Sequence, residues 1–297
     1  MRRLSTGLLL SIAFALALPA PAFLSQRSAL ATETTPDDPA DILQEQRSRG
    51  QAAARILDRK VSTFESDHFI VHVTVDETQV RDVPKLAEDA YRRFFSVMAA
   101  QESEFVWKGK VVVYVLGPAQ FTEFSRQAHG REGGAREAYF RAVLDQAELV
   151  LPWLDAPDRF RQDLTHEATH LLLHFYRSPG HVPNWLQEGL AQWFEFDAFP
   201  DCAARRQAHD TVARDSTKVR MRGLADLIKG NGPKSASDLS GYAYSWSFTA
   251  FLMDTRRPEL LQFIGLLKRD VDQDRAARQA FAKDLTALER EWAVSAK

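Results

Sequence analysis

The chain has 297 residues, of which 45% are hydrophobic and 26% are charged, a composition typical of a globular protein. Its formal net charge of −2 excludes the clustered excess of Lys and Arg that a nucleic-acid surface requires, so no nucleic-acid partner is expected. Cys202 is the single cysteine, which excludes an intramolecular disulfide and leaves the core to hold the fold.

The N-terminus has the features of a targeting signal. Arg2 and Arg3 precede an apolar run from Gly7 to Leu18 that is too short to span a bilayer, and small residues follow it. This order predicts a secretory signal peptide over residues 1–31, and therefore a secreted or periplasmic protein with no stable membrane span after signal cleavage. An uncleaved membrane anchor is the alternative interpretation.

Residues 32–60 are polar and rich in Pro and Asp at their start, which predicts a linker or mobile arm before a folded part that begins near Val61. Strand and helix signals then alternate. The elements predicted in this half are the strand Phe69–Val75, the helix Leu86–Met98, the strand Lys110–Leu116, the short helix Phe121–Ala128 and the strand Ala147–Pro152.

The second half of the chain has helical periodicity. The predicted helices are Asp158–Tyr176, Asn184–Phe196, Ser245–Asp254, Glu259–Lys268 and Ala276–Val294. Strands followed by helices predict an α+β fold. We expect one catalytic domain over residues 61–297, with a sheet-containing N-lobe (61–177) and a mainly helical C-lobe (178–297).

An HExxH motif, His166-Glu167-Ala168-Thr169-His170, lies inside a predicted helix. Residues four apart stack one turn above each other, so both imidazoles can reach one zinc ion. Glu167 lies about 100° around the helix, where it can act as general base toward a water that the metal activates.

The remaining helix pattern fits this role. Its apolar residues fall within about 80° on ideal helical steps: Phe160, Leu164, Ala168, Leu171 and Phe175. The two histidines lie on roughly the opposite face. The helix can therefore pack on a sheet while it presents the histidines to a cleft.

A catalytic zinc site needs a third protein ligand and leaves its fourth position for water. Glu188, in the downstream helical segment WLQEGLA, is the best candidate, and Glu195 and Asp197 compete with it. The segment's glycine removes a side chain where two helices might approach. His174 lies one turn beyond the HExxH motif, but three ligands on one continuous helix cannot easily close around a tetrahedral ion. We interpret His174 as a packing residue or a support for a ligand, and Glu195 or Asp197 could orient a ligand imidazole.

HEATH followed by WLQEGLA resembles the gluzincin clan of metallopeptidases, particularly the bacterial peptidase-MA-like proteins. The segment Tyr242–Leu252 is similar to the downstream helix of that family, and Phe281–Trp292 resembles its C-terminal helix. The resemblance implies a zincin-like fold and a single Zn²⁺ held by His166, His170 and Glu188.

The resemblance also implies further roles. Related gluzincins stabilise the oxyanion with a tyrosine from the downstream segment, so Tyr244 is predicted as a catalytic residue, with Tyr242 as second choice. In zincins an edge strand beside the active-site helix pairs with an extended polypeptide substrate, which assigns that role to Ala147–Pro152. The aminopeptidase-type GxMEN motif is absent, so trimming of free N-termini is not implied.

The leading hypothesis is therefore a zinc-dependent endopeptidase. One alternative is a non-catalytic, chaperone-like zinc protein that holds envelope polypeptides in a peptidase-like groove. Glu167 argues against it, because a protein that only binds needs no general base. Hydrolysis of a non-peptide amide, such as a cell-wall crosslink, stays open because it uses the same metal chemistry.

Overall fold

The computed structural model describes residues 38–131, 137–143, 146–177, 180–216, 228–229, 232–233 and 238–295. The predicted signal peptide (1–31) lies outside these ranges. Within them the chain has an α+β fold with a mixed five-stranded sheet and a helical second half. None of the helices in these ranges combines the length and the apolar character that crossing a membrane requires.

The first half contains the whole sheet. Its elements are α1 (Pro39–Leu57), β1 (Ser62–Glu65), β2 (Phe69–Val73), α2 (Glu77–Val80), α3 (Val83–Met98), β3 (Val111–Leu116), α4 (Pro118–His129), β4 (Tyr139–Val143) and β5 (Gln146–Pro152). The second half adds α5 (Pro157–Phe175), α6 (Asn184–Ala198), α7 (Ala203–Ser216), α8 (Leu239–Thr255), α9 (Arg257–Leu267), α10 (Gln273–Phe281) and α11 (Leu285–Ser295).

The strands have the order β1-β2-β3-β5-β4, in which β2, β3 and β5 are parallel and the two outer strands run antiparallel to their neighbours. The segment Ala147–Pro152 belongs to β5, which pairs with β3 on one side and with β4 on the other. The expectation that this segment is an edge strand is therefore wrong. The hairpin formed with β4 puts β4 at the edge.

Alternation along the central strands divides the core into two layers. Val111, Val113 and Val115 point to the face that α3 and α5 cover, whereas Val112 and Tyr114 point to the face that α1 and α4 cover. Both faces are buried, which explains the nearly continuous apolar runs of β2, β3 and β5. The apolar stripe predicted for the HExxH helix packs in the first layer, as expected.

Helix α1 replaces most of the predicted arm over residues 32–60. The Asp38 carboxylate accepts a hydrogen bond from the backbone at 2.7 Å and caps the helix start. Gln46 and Arg49 are buried, and the Gln46 amide donates to the Lys110 carbonyl at 2.8 Å. The arm prediction is wrong over this helix because its buried face includes polar side chains, which hydrophobic periodicity does not detect.

The other predicted elements agree with the structure to within several residues at their ends. The exception is the predicted helix Ala276–Val294, which is two helices, α10 and α11. Ala282 adopts a left-handed conformation with φ 53° and ends α10, and Asp284 accepts a hydrogen bond from the Ala287 amide at 2.7 Å at the start of α11. β1, α2, β4 and α7 had no predicted counterpart.

Candidate metal centre

Helices α5 and α6 pack side by side and bring the predicted ligands together. The apolar stripe of α5 packs on the sheet, so its opposite face meets α6. On α6, Gly189 lies against α8, where a Cβ atom would collide with the Thr249 side chain and the Ser245 carbonyl. The glycine therefore permits the close approach of α6 and α8, which fixes the position of the adjacent Glu188.

Two imidazole nitrogens and one carboxylate form a compact cluster. The Nε2 atoms of His166 and His170 are 3.2 Å apart, and each lies 3.5 Å from a different carboxylate oxygen of Glu188. Two adjacent helical turns supply the imidazoles, and a separate helix supplies the acid. The spacing predicted from the sequence thus brings these three side chains together in the fold.

The cluster has the dimensions of a zinc site. Zinc–nitrogen and zinc–oxygen bonds of about 2.0–2.1 Å at tetrahedral angles place neighbouring ligand atoms about 3.3 Å apart. The observed separations of 3.2 and 3.5 Å match that value. Two neutral imidazoles and one carboxylate also form the donor set of His₂Glu catalytic zinc sites. The residues present therefore fit a zinc ion.

The two imidazoles differ in what surrounds the ring on the side away from the cluster, where Nδ1 lies. Nδ1 of His166 lies 3.2 Å from the Glu195 carboxylate, an interaction that fixes ring orientation and directs Nε2 toward the other ligands. The ring of His170 stacks on Phe140 of β4, with centroids 5.9 Å apart. Within the described residues, Nδ1 of His170 has no hydrogen-bond partner.

The electrostatics of the centre favour a cation. Burial would raise the pKa of Glu188, but His170 and His166 outweigh it and lower the pKa to about 2. Burial would lower the pKa of His166, yet Glu188 and Glu195 raise it well above its usual value. The carboxylates thus attract positive charge to the point where the imidazole nitrogens converge, and a divalent cation can supply that charge in place of a proton.

Glu167 is buried beside this cluster, with 4% of its surface exposed. Burial raises the pKa of its carboxyl group to about 7, although His170 and His166 oppose the shift. Among the described residues, one oxygen of Glu167 has no hydrogen-bond partner. Glu167 also lines a small pocket with His166, Gln192 and Glu195. A carboxyl group with a pKa near neutrality can accept and release a proton at physiological pH.

The two candidate tyrosines are placed differently. The ring of Tyr244 packs edge-to-face against Trp292 of α11, with centroids 6.2 Å apart. Burial raises the pKa of Tyr242, and the charges of Glu188 and Glu167 are among those that raise it further. The influence of these two carboxylates favours Tyr242 over Tyr244 as the tyrosine nearer to the predicted ligands, while a catalytic role for either one stays a prediction.

The remaining candidates have other contacts. Glu195, considered as a third ligand, contacts the outer nitrogen of His166 instead. Asp197 forms an ion pair with Arg93. His174 packs against Phe140 and Phe175, with centroids 6.0 and 4.8 Å away, and burial lowers its pKa to about 4.

Two features of the pocket were not predicted from the sequence. Gln192, one turn after Glu188, is buried in the pocket wall. Arg159 and Asp163 form an ion pair at 2.8 Å along the same wall. The signal for Gln192 was present, since it is a polar residue between apolar neighbours of an amphipathic helix.

A family model described as "Protein of unknown function (DUF1570)" matches residues 162–272. The matched region includes the HExxH helix from its second turn, all three predicted metal ligands and both candidate tyrosines. No curated protein matches the chain.

Proposed function

We propose that this chain is a zinc-dependent metallohydrolase with a zincin-like α+β fold, and that it acts as an endopeptidase on extended polypeptides. The observation that carries the proposal is a cluster of two imidazole nitrogens 3.2 Å apart and the Glu188 carboxylate, whose two oxygens each lie 3.5 Å from one of these nitrogens, beside the buried Glu167. The proposal includes a secreted or periplasmic location, which is supported by the sequence of residues 1–31.

His166, His170 and Glu188 would hold the ion. Zinc supplies Lewis-acid chemistry when bound, since it lowers the pKa of water and polarises a carbonyl group. Glu195 contributes indirectly, because its contact with Nδ1 of His166 holds that ring in the orientation a ligand requires.

Glu167 would act as the proton carrier. Its carboxylate has an oxygen with no partner in the described chain, which can accept a hydrogen bond and then a proton from the attacking water. The same group then returns the proton to the amine that leaves. Burial raises the pKa of this carboxyl group, which makes it a stronger base than an exposed glutamate.

Tyr242 would stabilise the negative charge that develops on the scissile carbonyl oxygen. Burial raises the pKa of its hydroxyl, so the group stays protonated and can donate a hydrogen bond. This assignment replaces Tyr244 in the predicted mechanism.

Strand β4 would align the substrate. Phe140 of β4 stacks on His170, so β4 runs beside the centre, and within the described residues its other edge pairs with no strand. An extended peptide that adds to this edge gains main-chain hydrogen bonds regardless of its sequence. The role first assigned to Ala147–Pro152 therefore passes to the adjacent strand.

The test is cleavage of a library of capped peptides by the purified protein with zinc, with a chelator, and with zinc restored. We expect chelation to abolish cleavage and zinc to restore it. Glu167→Gln should retain zinc but lose about 10²–10⁴-fold in turnover, the usual contribution of a general base. A fully active Glu167→Gln variant would contradict the mechanism. Stoichiometric zinc binding without any cleavage would support the chaperone-like zinc protein instead.

A further inference from the structure

Gln192 is a buried polar residue in the wall of the candidate site. It lies one turn beyond Glu188 on α6, and 4% of its surface is exposed. Within the described residues, its carboxamide oxygen has no hydrogen-bond partner. Burying such an oxygen unpaired destabilises the folded chain, whereas an apolar side chain of similar size would not. The arrangement indicates a partner outside the described residues, and a bound substrate can supply it.

The position of Gln192 indicates where that partner would lie. One pocket contains Glu167 and His166, and a second pocket contains Tyr242. Both pockets are lined by Gln192, together with Phe196 and Ala204. Gln192 therefore lines both the pocket of the proposed general base and the pocket of the candidate oxyanion donor, next to the place where the reacting part of a substrate would bind.

The chemistry of the side chain indicates the class of group that it binds. A carboxamide has an acceptor oxygen and a donor NH₂ group, and a peptide group has an acceptor C=O and a donor N–H, so each can donate to and accept from the other. The carboxamide can hydrogen-bond to a substrate peptide group whatever the substrate side chains next to that group are. The other two residues that the pockets share, Phe196 and Ala204, have no polar side-chain atom that could compete for that pairing.

We propose that the Gln192 carboxamide binds a main-chain peptide group next to the scissile bond, so that the substrate carbonyl is held between Glu167 and Tyr242. The inference rests on the proposed peptidase function and adds a substrate-binding residue to it. It also predicts broad sequence tolerance, because the recognised group is common to all peptides.

Replacement of Gln192 tests the role of the carboxamide. The variant Gln192→Met keeps a similar volume and removes both polar atoms. We expect kcat/KM for capped peptides to fall about ten- to a hundredfold, the effect of losing a hydrogen bond to a buried group. Zinc content should stay unchanged, and the melting temperature should stay the same or rise, because an unpaired buried oxygen is removed. A purely structural glutamine would instead show a lowered melting temperature.

A matched control is available on the same helix. The side chain of Gln187 donates to the Val182 carbonyl at 2.6 Å and lines neither of the two pockets. Gln187→Met should therefore lower stability and leave kcat/KM close to wild type. An equal loss of kcat/KM in both variants would show that the effect is not specific to the pocket.

A scan of the substrate backbone gives the sharper result. Peptides in which one flanking amide N–H at a time is replaced by an ester oxygen are compared with the parent peptide. The wild type should lose about ten- to a hundredfold at one flanking position, and Gln192→Met should lose almost nothing further there. Additive losses at every position would overturn the inference.

The two proposals fail differently. If the zinc-loaded wild type cleaves no peptide, the peptidase function fails and the Gln192 inference fails with it. If the wild type cleaves peptides and Gln192→Met matches it in kcat and KM, only the Gln192 inference is overturned.

Discussion

Two buried carboxylates on opposite sides of the sheet show how similar burial can serve different purposes. Glu148 lies on the face that α1 and α4 cover, and Glu188 lies in the candidate metal centre. Both are nearly inaccessible, at 3% exposure. Burial would raise both pKa values, yet neighbouring groups lower each of them to about 2.

The difference lies in the neighbours. Arg49 contacts one oxygen of Glu148 at 2.5 Å, and Arg141 contacts the other at 3.1 Å. His129, 3.4 Å away, contributes most to the lowered pKa of Glu148, ahead of the two arginines. Burial lowers the pKa of His129 itself, so the charge that persists at any physiological pH comes from the two guanidinium groups. Glu188 instead faces two imidazoles, which can give up protons and bind a metal.

Glu148 therefore belongs to a structural ion cluster, whereas Glu188 belongs to a candidate metal site. A guanidinium group stays charged at any physiological pH and cannot ligate a metal, so the Glu148 cluster is permanently neutralised. Arg49 belongs to α1, and the cluster therefore ties that helix to the sheet. The Glu188 centre lacks a permanent cation among its ligand side chains and can accept one.

The largest stability effect is expected at the structural cluster. Glu148→Ala leaves the guanidinium groups of Arg49 and Arg141 without their buried partner, which should reduce the free energy of unfolding by about 3–5 kcal/mol. Urea denaturation of metal-free protein measures the change. Zinc binding at neutral pH should persist in the fraction that folds. A loss below about 1 kcal/mol would mean that the cluster does not hold α1 to the sheet.

The same cluster predicts a pH dependence. A carboxylate with a pKa of about 2 in the folded chain and the usual pKa of 4.5 in the unfolded chain stabilises the fold fully above pH 4.5, and this stabilisation is lost as the pH falls toward 2. The shift corresponds to about 3 kcal/mol. The stability advantage of wild type over Glu148→Gln should therefore shrink by roughly that amount between pH 5 and 2. Denaturation with chelator present measures it, and an advantage that does not change with pH would contradict the assignment.

A smaller effect is expected where a carboxylate supports a ligand without binding the metal. Glu195→Ala removes the partner of Nδ1 on His166, which should weaken zinc affinity about 10- to 100-fold. Competition with a chromophoric chelator gives the affinity. Loss of all zinc binding in Glu195→Ala, with Glu188→Ala unaffected, would make Glu195 the third ligand.

The sequence predicted the ligand set because helical spacing is local. His166 and His170 share a helical face whatever the tertiary fold, and the apolar stripe determined which face meets the sheet. Glu188 required one further step, the recognition of WLQEGLA, and the structure places it with the histidines.

The unpredicted features depend on tertiary contacts. Tyr242 and Tyr244 lie two positions apart on one helix, so only the packing of α8 on α6 decides which of them faces the site. Helix α1 was not predicted because its buried face contains the polar residues Gln46 and Arg49, whose side chains hydrogen-bond to specific partners inside the fold. The position of β5 inside the sheet depends on its hairpin with β4. Strand β4 was not predicted because its sequence contains no continuous apolar run.

The most direct test of the account is zinc content per chain in wild type and Glu188→Ala, with Glu148→Gln as the control for loss of a buried carboxylate. After dialysis against a weak chelator, wild type and Glu148→Gln should each retain about one zinc per chain, whereas Glu188→Ala should retain almost none. The reason is that loss of a direct ligand lowers zinc affinity by more than the roughly 10- to 100-fold that follows loss of a supporting group. Equal zinc content in wild type and folded Glu188→Ala would contradict the central claim, as would a folded wild type that binds no zinc.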